Sequence, residues 1–145
     1  MIKITYPEKK PSIKGADGKD LVFCMIRKRW VLLTPEEWVR QNFLLYLTEV
    51  LFYPASLIAV EKQLVIGDVK KRFDIVVYDN QAKAFMLVEC KEMNVALSEA
   101  VLQQALRYNS TVQAGWLVIT NGGNCVAYEK QATHFQMKEA IPAFK

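Results

Sequence analysis

Asp74 stands inside the run Arg72-Phe73-Asp74-Ile75-Val76-Val77, and Glu89 and Lys91 interrupt the next apolar run, Met86-Leu87-Val88-Glu89-Cys90-Lys91. An acid in such a stretch is expensive to bury unless a cation or a donor compensates it, so a partner is implied. The i, i+2 spacing of Glu89 and Lys91 puts both side chains on one face of a strand. If the Asp79 to Lys83 region is a loop of two or four residues, antiparallel register sets Asp74 opposite Glu89 on that face, with Cβ atoms about 5 Å apart; an odd-length loop separates them. Two carboxylates that close repel, and a dry site would make one keep a proton, whereas a divalent cation would leave both ionised. Oxygen ligands select Mg²⁺ or Mn²⁺. Such a cation can lower the pKa of a bound water and neutralise charge on a phosphate, while Lys91 adds fixed positive charge or orients the nucleophile. The reaction these residue types suit is phosphodiester hydrolysis.

Side-by-side placement of these groups requires a sheet, and the surrounding sequence predicts one. Ile58 to Ile66, Arg72 to Tyr78 and Phe85 to Lys91 are Val/Ile-rich runs separated at Gly67-Asp68 and Asp79 to Lys83, read most simply as three consecutive antiparallel strands. Thr34-Pro35-Glu36-Glu37 combines an N-cap Thr, Pro at N1 and Glu at N3 in a capping box, so a helix starts at Pro35. Its apolar stripe runs through Trp38, Phe43, Leu44, Leu47 and Leu51 and must stop before Pro54. Ser98 caps a second helix reaching about Gln113, on which Gln104 is the polar exception in the stripe Leu97, Val101, Gln104, Tyr108, Val112. Trp116 to Thr120 reads as a buried strand, followed by the turn Asn121-Gly122-Gly123-Asn124 and a returning strand, Cys125 to Tyr128. Leu21 to Ile26 and Trp30 to Leu33 suggest a hairpin with an exposed tip at Arg27-Lys28-Arg29. Residues 1 to 20 read as an arm ordered by docking, and residues 21 to 145 as a single domain. The fold class is α/β, a mixed central sheet flanked by helices in the order αβββαβ with extra strands at either end.

Composition narrows the setting. With 145 residues, 52% of them hydrophobic, the chain can bury one good core but not two. The formal charge of +4 suits a nucleic-acid partner without demanding one. Cys24, Cys90 and Cys125 are widely separated, an odd number with no CxxC pair, which argues against a disulfide framework or structural zinc and fits a reducing cytoplasm. Cys90 should point away from its neighbours into the core without a nucleophilic role. His134 is the single histidine and lies near the C-terminus, leaving no basis for a His-rich zinc site and arguing against a Ser-His or Cys-His hydrolase. The most apolar stretch, Val50 to Val60, is interrupted by Pro54 and Ser56, so no membrane segment is expected.

Asp74 followed by Glu89-Cys90-Lys91 on the next strand resembles the D…(D/E)xK signature of the PD-(D/E)XK, or restriction-endonuclease-like, nuclease superfamily. Glu37 is similar to the acid that many members contribute from their first core helix, with Glu49 as the other candidate. Gln104-Ala105-Leu106-Arg107-Tyr108 resembles the QxxxY motif of some branches. The wider pattern, from Trp30-Val31-Leu32-Leu33-Thr34-Pro35-Glu36-Glu37 through Arg107-Tyr108-Asn109 to Thr120-Asn121-Gly122, resembles the N-terminal nuclease domain of type I restriction enzyme R subunits. The resemblance implies a Mg²⁺- or Mn²⁺-dependent deoxyribonuclease in which Asp74, Glu89, the Cys90 carbonyl and Glu37 hold metal. Lys91 would assist the attacking water, and Gln104 and Tyr108 would support the site. It further implies DNA as substrate, a separate motor or specificity subunit as a further partner, and a homodimer as one route to cutting both strands. No GxxxxGK[ST] occurs in the sequence, so ATP-driven translocation by these residues is not expected.

Each feature also has a plainer reading. A buried acid and lysine on neighbouring strands can be a salt bridge, the capping box alone explains Glu37, and Gln103 competes with Gln104. Arg27-Lys28-Arg29 and Lys70-Lys71-Arg72 suit phosphate contacts or simply solvated hairpin tips. The alternative to a nuclease is a catalytically inactive DNA-binding or subunit-docking module with the same fold. A small-molecule or lipid-binding domain would need an apolar cavity that nothing in the sequence asks for.

Overall fold

The Val/Ile-rich runs in the middle of the chain form the spine of the sheet in the computed structural model, which describes residues 1–145. In chain order the strands are β1 (Ile2–Lys3), β2 (Ile13–Ala16), β3 (Lys19–Cys24), β4 (Arg29–Leu32), β5 (Ile58–Ile66), β6 (Val69–Tyr78), β7 (Ala84–Cys90), β8 (Trp116–Thr120), β9 (Asn124–Lys130) and β10 (Phe135–Lys138). The helices are α1 (Pro35–Leu45) and α2 (Glu99–Tyr108). Seven strands make a mixed sheet in the order β1-β9-β8-β7-β6-β5, with β10 also on β9; β2, β3 and β4 form a separate three-stranded sheet. The three central strands are antiparallel neighbours, whereas β7 and β8 are parallel. A parallel pair needs a long crossover, which α2 supplies. This architecture is compatible with a restriction-endonuclease-like fold.

The sheet is covered on both faces. On one side Val39, Phe43, Leu44 and Leu47 pack against Ile75, Val77, Met86 and Val88. On the other, Leu102 and Ala105 of α2 pack against Val76, Leu87, Leu117 and Ile119. Central strands buried on both faces read as continuous apolar runs rather than alternating ones, so the interruptions at Asp74, Glu89 and Lys91 stand out.

Local signals at α1 are obeyed in part. Thr34 Oγ1 accepts from the Glu37 N–H at 3.0 Å, with Pro35 opening the helix. The reciprocal half of the capping box is replaced, because the Glu37 carboxylate turns to arginines. After Leu45 the helix widens into a π-turn over Tyr46–Val50, closed by the Leu51 N–H to the Tyr46 carbonyl at 3.1 Å, before Pro54. α2 stops at Tyr108 rather than near Gln113: Asn109 leaves helical geometry, at φ −102° and ψ 13°, and the Ser110 and Val112 N–H groups turn back to the Arg107 and Asn109 carbonyls at 3.4 and 3.1 Å. Residues 1 to 20, read as an arm, contribute β1 to the large sheet and β2 with the start of β3 to the small one. The charged tip also differs from expectation. Lys28 and Arg29 are exposed, but the Arg27 side chain is only 15% exposed and reaches Glu37 and Glu61. No helix is long and apolar enough to cross a membrane.

Candidate active site

The connection from Tyr78 to Ala84 spans five residues, the odd length that should separate Asp74 from Glu89. A bulge restores the pairing. Tyr78 faces Ala84, but the register then shifts so that Val77 faces Met86 and Ile75 faces Val88, leaving Phe85 as the surplus residue. Asp74 and Glu89 are the next residues along the two strands. There the backbone ladder gives way to a side chain, as the Cys90 N–H donates to Asp74 Oδ2 at 2.8 Å.

Although adjacent in register, the two carboxylates engage opposite layers. Ile75 and Val77 belong to the α1-side core, whereas Phe73 belongs to the α2-side core, so the strict alternation of β6 slips at Asp74. The pairing of β5 with β6 skips Glu61, whose φ is +53°, at the same level. Asp74 Oδ1 accepts from Arg40 Nη2 of α1 at 2.7 Å. Arg40 is 4% exposed and also meets Glu37 at 2.7 Å, Glu36 at 3.2 Å and Glu61 at 3.5 Å. Arg27 adds contacts to Glu37 at 2.9 Å and Glu61 at 3.4 Å, and Gln41 donates to Glu37 at 3.0 Å. Burial by itself would weaken the Arg40 charge, but the Asp74 hydrogen bond and the Glu37 charge outweigh it and raise its pKa. Burial, then the neighbouring Asp74 charge, push the Glu36 carboxyl up.

Glu89 and Lys91 open instead onto a cleft of about 420 Å³ lined by Val95, Val101, Gln104, Ala105 and Tyr108. Their shared face is therefore as the spacing predicts. Asn109, fully buried at the end of α2, donates Nδ2 to Glu89 Oε1 at 3.0 Å and to the Ala105 carbonyl at 2.9 Å. Its Oδ1 is buried without a partner. Gln103 bonds Glu99 on the helix surface at 2.9 Å, which leaves Gln104 as the glutamine facing the cleft. Lys91 is fixed through its backbone, whose N–H donates to the Thr120 carbonyl at 2.7 Å, while its side chain forms no ion pair.

The structure thus brings Glu89, Lys91, Gln104 and Tyr108 together around the cleft and keeps Asp74, next to Glu89 in register, on the α1 side with Arg40. Glu37 lies in the arginine cluster, both its oxygens engaged, and Glu49 pairs with Lys9 at 3.6 Å, away from the site. Burial drives the Cys90 thiol well up, with the Asp74 charge acting the same way, so it remains protonated. The donor set at the strand junction is of oxygen type, two carboxylates and the Cys90 carbonyl, which is the chemistry a hard divalent cation requires. Glu89 Oε2 makes no hydrogen bond, while both Asp74 oxygens are taken by Arg40 and the Cys90 N–H. No three His, Cys, Asp or Glu side chains converge as a ready metal cage; the oxygen donors match such a cation in type, and joint ligation would need Asp74 to leave Arg40 and turn toward Glu89. Two further residues of the site, Arg40 and Asn109, have no role that the sequence alone predicts. Arg40 carries no signal there beyond the acids at i−3 and i−4, and Asn109 none beyond its place in the Arg107-Tyr108-Asn109 stretch of the resemblance.

None of the curated proteins matches the chain. A family model does: that of the type I restriction enzyme R protein N terminus matches residues 35–142. The match begins at the first residue of α1 and takes in Asp74, Glu89, Lys91, Gln104, Tyr108 and Asn109, but leaves out the small β2–β4 sheet. With well over half its length inside that match, the chain belongs to the type I restriction enzyme R protein N-terminal family.

Proposed function

We propose that this chain is a metal-dependent deoxyribonuclease domain of the PD-(D/E)XK kind. The observation that carries the reading is the bulged β6–β7 register, which compensates an odd-length loop and so sets Asp74 beside Glu89-Cys90-Lys91. Glu89, Asp74 and the Cys90 carbonyl would hold the cation, with Glu37 completing the set only by leaving its arginines. Bound Mg²⁺ or Mn²⁺ would neutralise phosphate charge and acidify water at the junction. Lys91, unpaired at the cleft wall, would place its ammonium against the phosphate or orient the attacking water. Asn109 fixes one Glu89 oxygen and leaves the other free. Gln104 and Tyr108 present an amide and a phenol, one helical turn apart, at the cleft mouth.

Cleavage of supercoiled plasmid and of a single-stranded oligonucleotide in Mg²⁺ or Mn²⁺ tests this, comparing wild type with Asp74→Ala, Glu89→Ala and Lys91→Ala at matched folding. Nicking that needs metal and is lost in all three variants supports the reading. One observation favours a second reading, a noncatalytic DNA-binding or subunit-docking module. Arg40 already sits between Asp74 and Glu37, at 2.7 Å from each, supplying the positive charge a metal would otherwise provide. Absence of both cleavage and calorimetric metal binding by the wild type would select that module.

A further inference from the structure

The β5–β6 hairpin extends past the strand it serves. β7 pairs with β6 only between Ile75 and Tyr78, whereas β5 and β6 continue to pair from Lys62–Phe73 out to Ile66–Val69. A free two-stranded ribbon is marginal in water, but one face of this one is anchored. Phe73 is fully buried, Leu64 and Ile66 pack on the α2-side core, and Lys71 donates to the Tyr108 carbonyl with its ammonium 4.5 Å from that ring's centroid.

The opposite face is open. Arg72 lies across from Gln63 and Lys70 across from Val65, and all four are exposed. Neither Lys70 nor Arg72 takes part in any ion pair, unlike Arg27 and Arg40 nearby. Alternation puts Lys70 and Arg72 in one row along β6, a step of about 6.6 Å, and Asp74, turned to Arg40 of α1, lies on the same side of the strand. The row therefore runs from two unneutralised cations to Asp74 on the α1 side of the sheet.

We propose that the open face of this arm is a docking surface for the DNA phosphate backbone, with Lys70 and Arg72 each contacting a phosphate and directing the strand toward Asp74. Only the last step rests on the nuclease reading; the phosphate contacts stand on the arm itself. Val65 is the one large apolar side chain on this face, with no aromatic beside it, which is a poor anchor for a protein partner. Unpaired, exposed cations on an anchored hairpin suit a polyanion, whose binding they drive by releasing counterions.

The test is fluorescence anisotropy of a labelled duplex with the full chain in EDTA, so that binding is read without cleavage. Lys70→Ala with Arg72→Ala should weaken binding about tenfold and flatten the slope of log K against log salt by about 1.8 over roughly 50 to 200 mM. Lys83→Ala with Lys145→Ala, at the opposite end of the sheet, should change neither. The proposal is overturned if the arm variant binds within twofold of wild type, if the distal pair loses as much, if wild type does not bind duplex, or if polyglutamate competes as well as DNA. Plasmid cleavage in Mg²⁺ separates the two readings. Wild type that cleaves, with an arm variant that binds and cleaves unchanged, removes the arm and keeps the nuclease; arm-dependent binding without cleavage does the reverse.

Discussion

Two acidic neighbourhoods meet at the junction of β6 and β7, and they are built on different principles. On the α1 side, Glu36, Glu37, Glu61 and Asp74 are bound by Arg27 and Arg40, so almost every charge has a partner within 3.5 Å. On the α2 side, Glu89 has a single side-chain hydrogen bond, and Lys91 and Gln104 have none. A saturated cluster fixes geometry and resists change, because stripping one partner strands a buried charge. The sparse side leaves donors and acceptors free for something arriving from outside. Asp74 joins the two, since one of its oxygens accepts from Arg40 of α1 and the other from the Cys90 N–H, next to Glu89 on β7.

The sharpest way to break this contrast is on the open side. Glu89→Gln removes a charge at nearly constant shape and should lower metal-dependent cleavage by at least about 100-fold, the scale of losing a key charge-stabilising group. Unfolding midpoints should move little, and a large loss of stability instead would reassign Glu89 to the structural side. Next in size is Arg40→Met, which leaves Glu37 and Asp74 without their buried cation. It should cost about 3 kcal/mol in urea unfolding, and millimolar Mg²⁺ should recover part of that loss if Asp74 accepts metal once released. Recovery equal in wild type and variant would show that Arg40 and metal do not compete. Asn109→Leu should reduce cleavage about tenfold and stability by about 1 to 2 kcal/mol, since it removes both the Glu89 tether and a bond to the helix-end carbonyl. Cleavage that survives intact would mean Glu89 needs no such tether.

The smallest effect concerns Glu36, whose carboxyl is raised from 4.5 by burial and by Asp74. A carboxyl that binds its proton more tightly when folded favours the folded state at low pH and loses that contribution as pH rises from its unfolded value through the raised folded one. Glu36→Gln should therefore stabilise slightly near neutrality, by no more than a few tenths of a kcal/mol given its exposure. The gain should vanish below about pH 4.5 in thermal melts; a gain that persists there has another cause.

Some of this was legible in the residue order. The strands around Asp74 and Glu89, the cap at Thr34 and the strand Trp116–Thr120 rest on local chemistry, namely β-branched runs, Pro at N1 and turn residues, and each lies within a few residues of its expected place. The shared face of Glu89 and Lys91 follows from the two-residue period alone. Where α2 ends did not follow, because Asn109 is held to Glu89 by a contact that appears only once strand and helix are packed.

Sequence by itself determined which residues interrupt apolar strands, since an acid or lysine among Val and Ile is conspicuous wherever the chain goes. Tertiary structure decided everything that depends on parity and on partners. One surplus residue at Phe85 chose whether Asp74 meets Glu89, because a single-residue slip exchanges the residue that faces a given neighbour. Arg27, apparently part of an exposed tip, and Arg40, one of many helix cations, became the centre of the acid cluster because the small sheet and α1 converge over β6. Ion pairs between residues 34 positions apart leave no periodic trace in the sequence, so only the folded chain could assign Asp74 to Arg40.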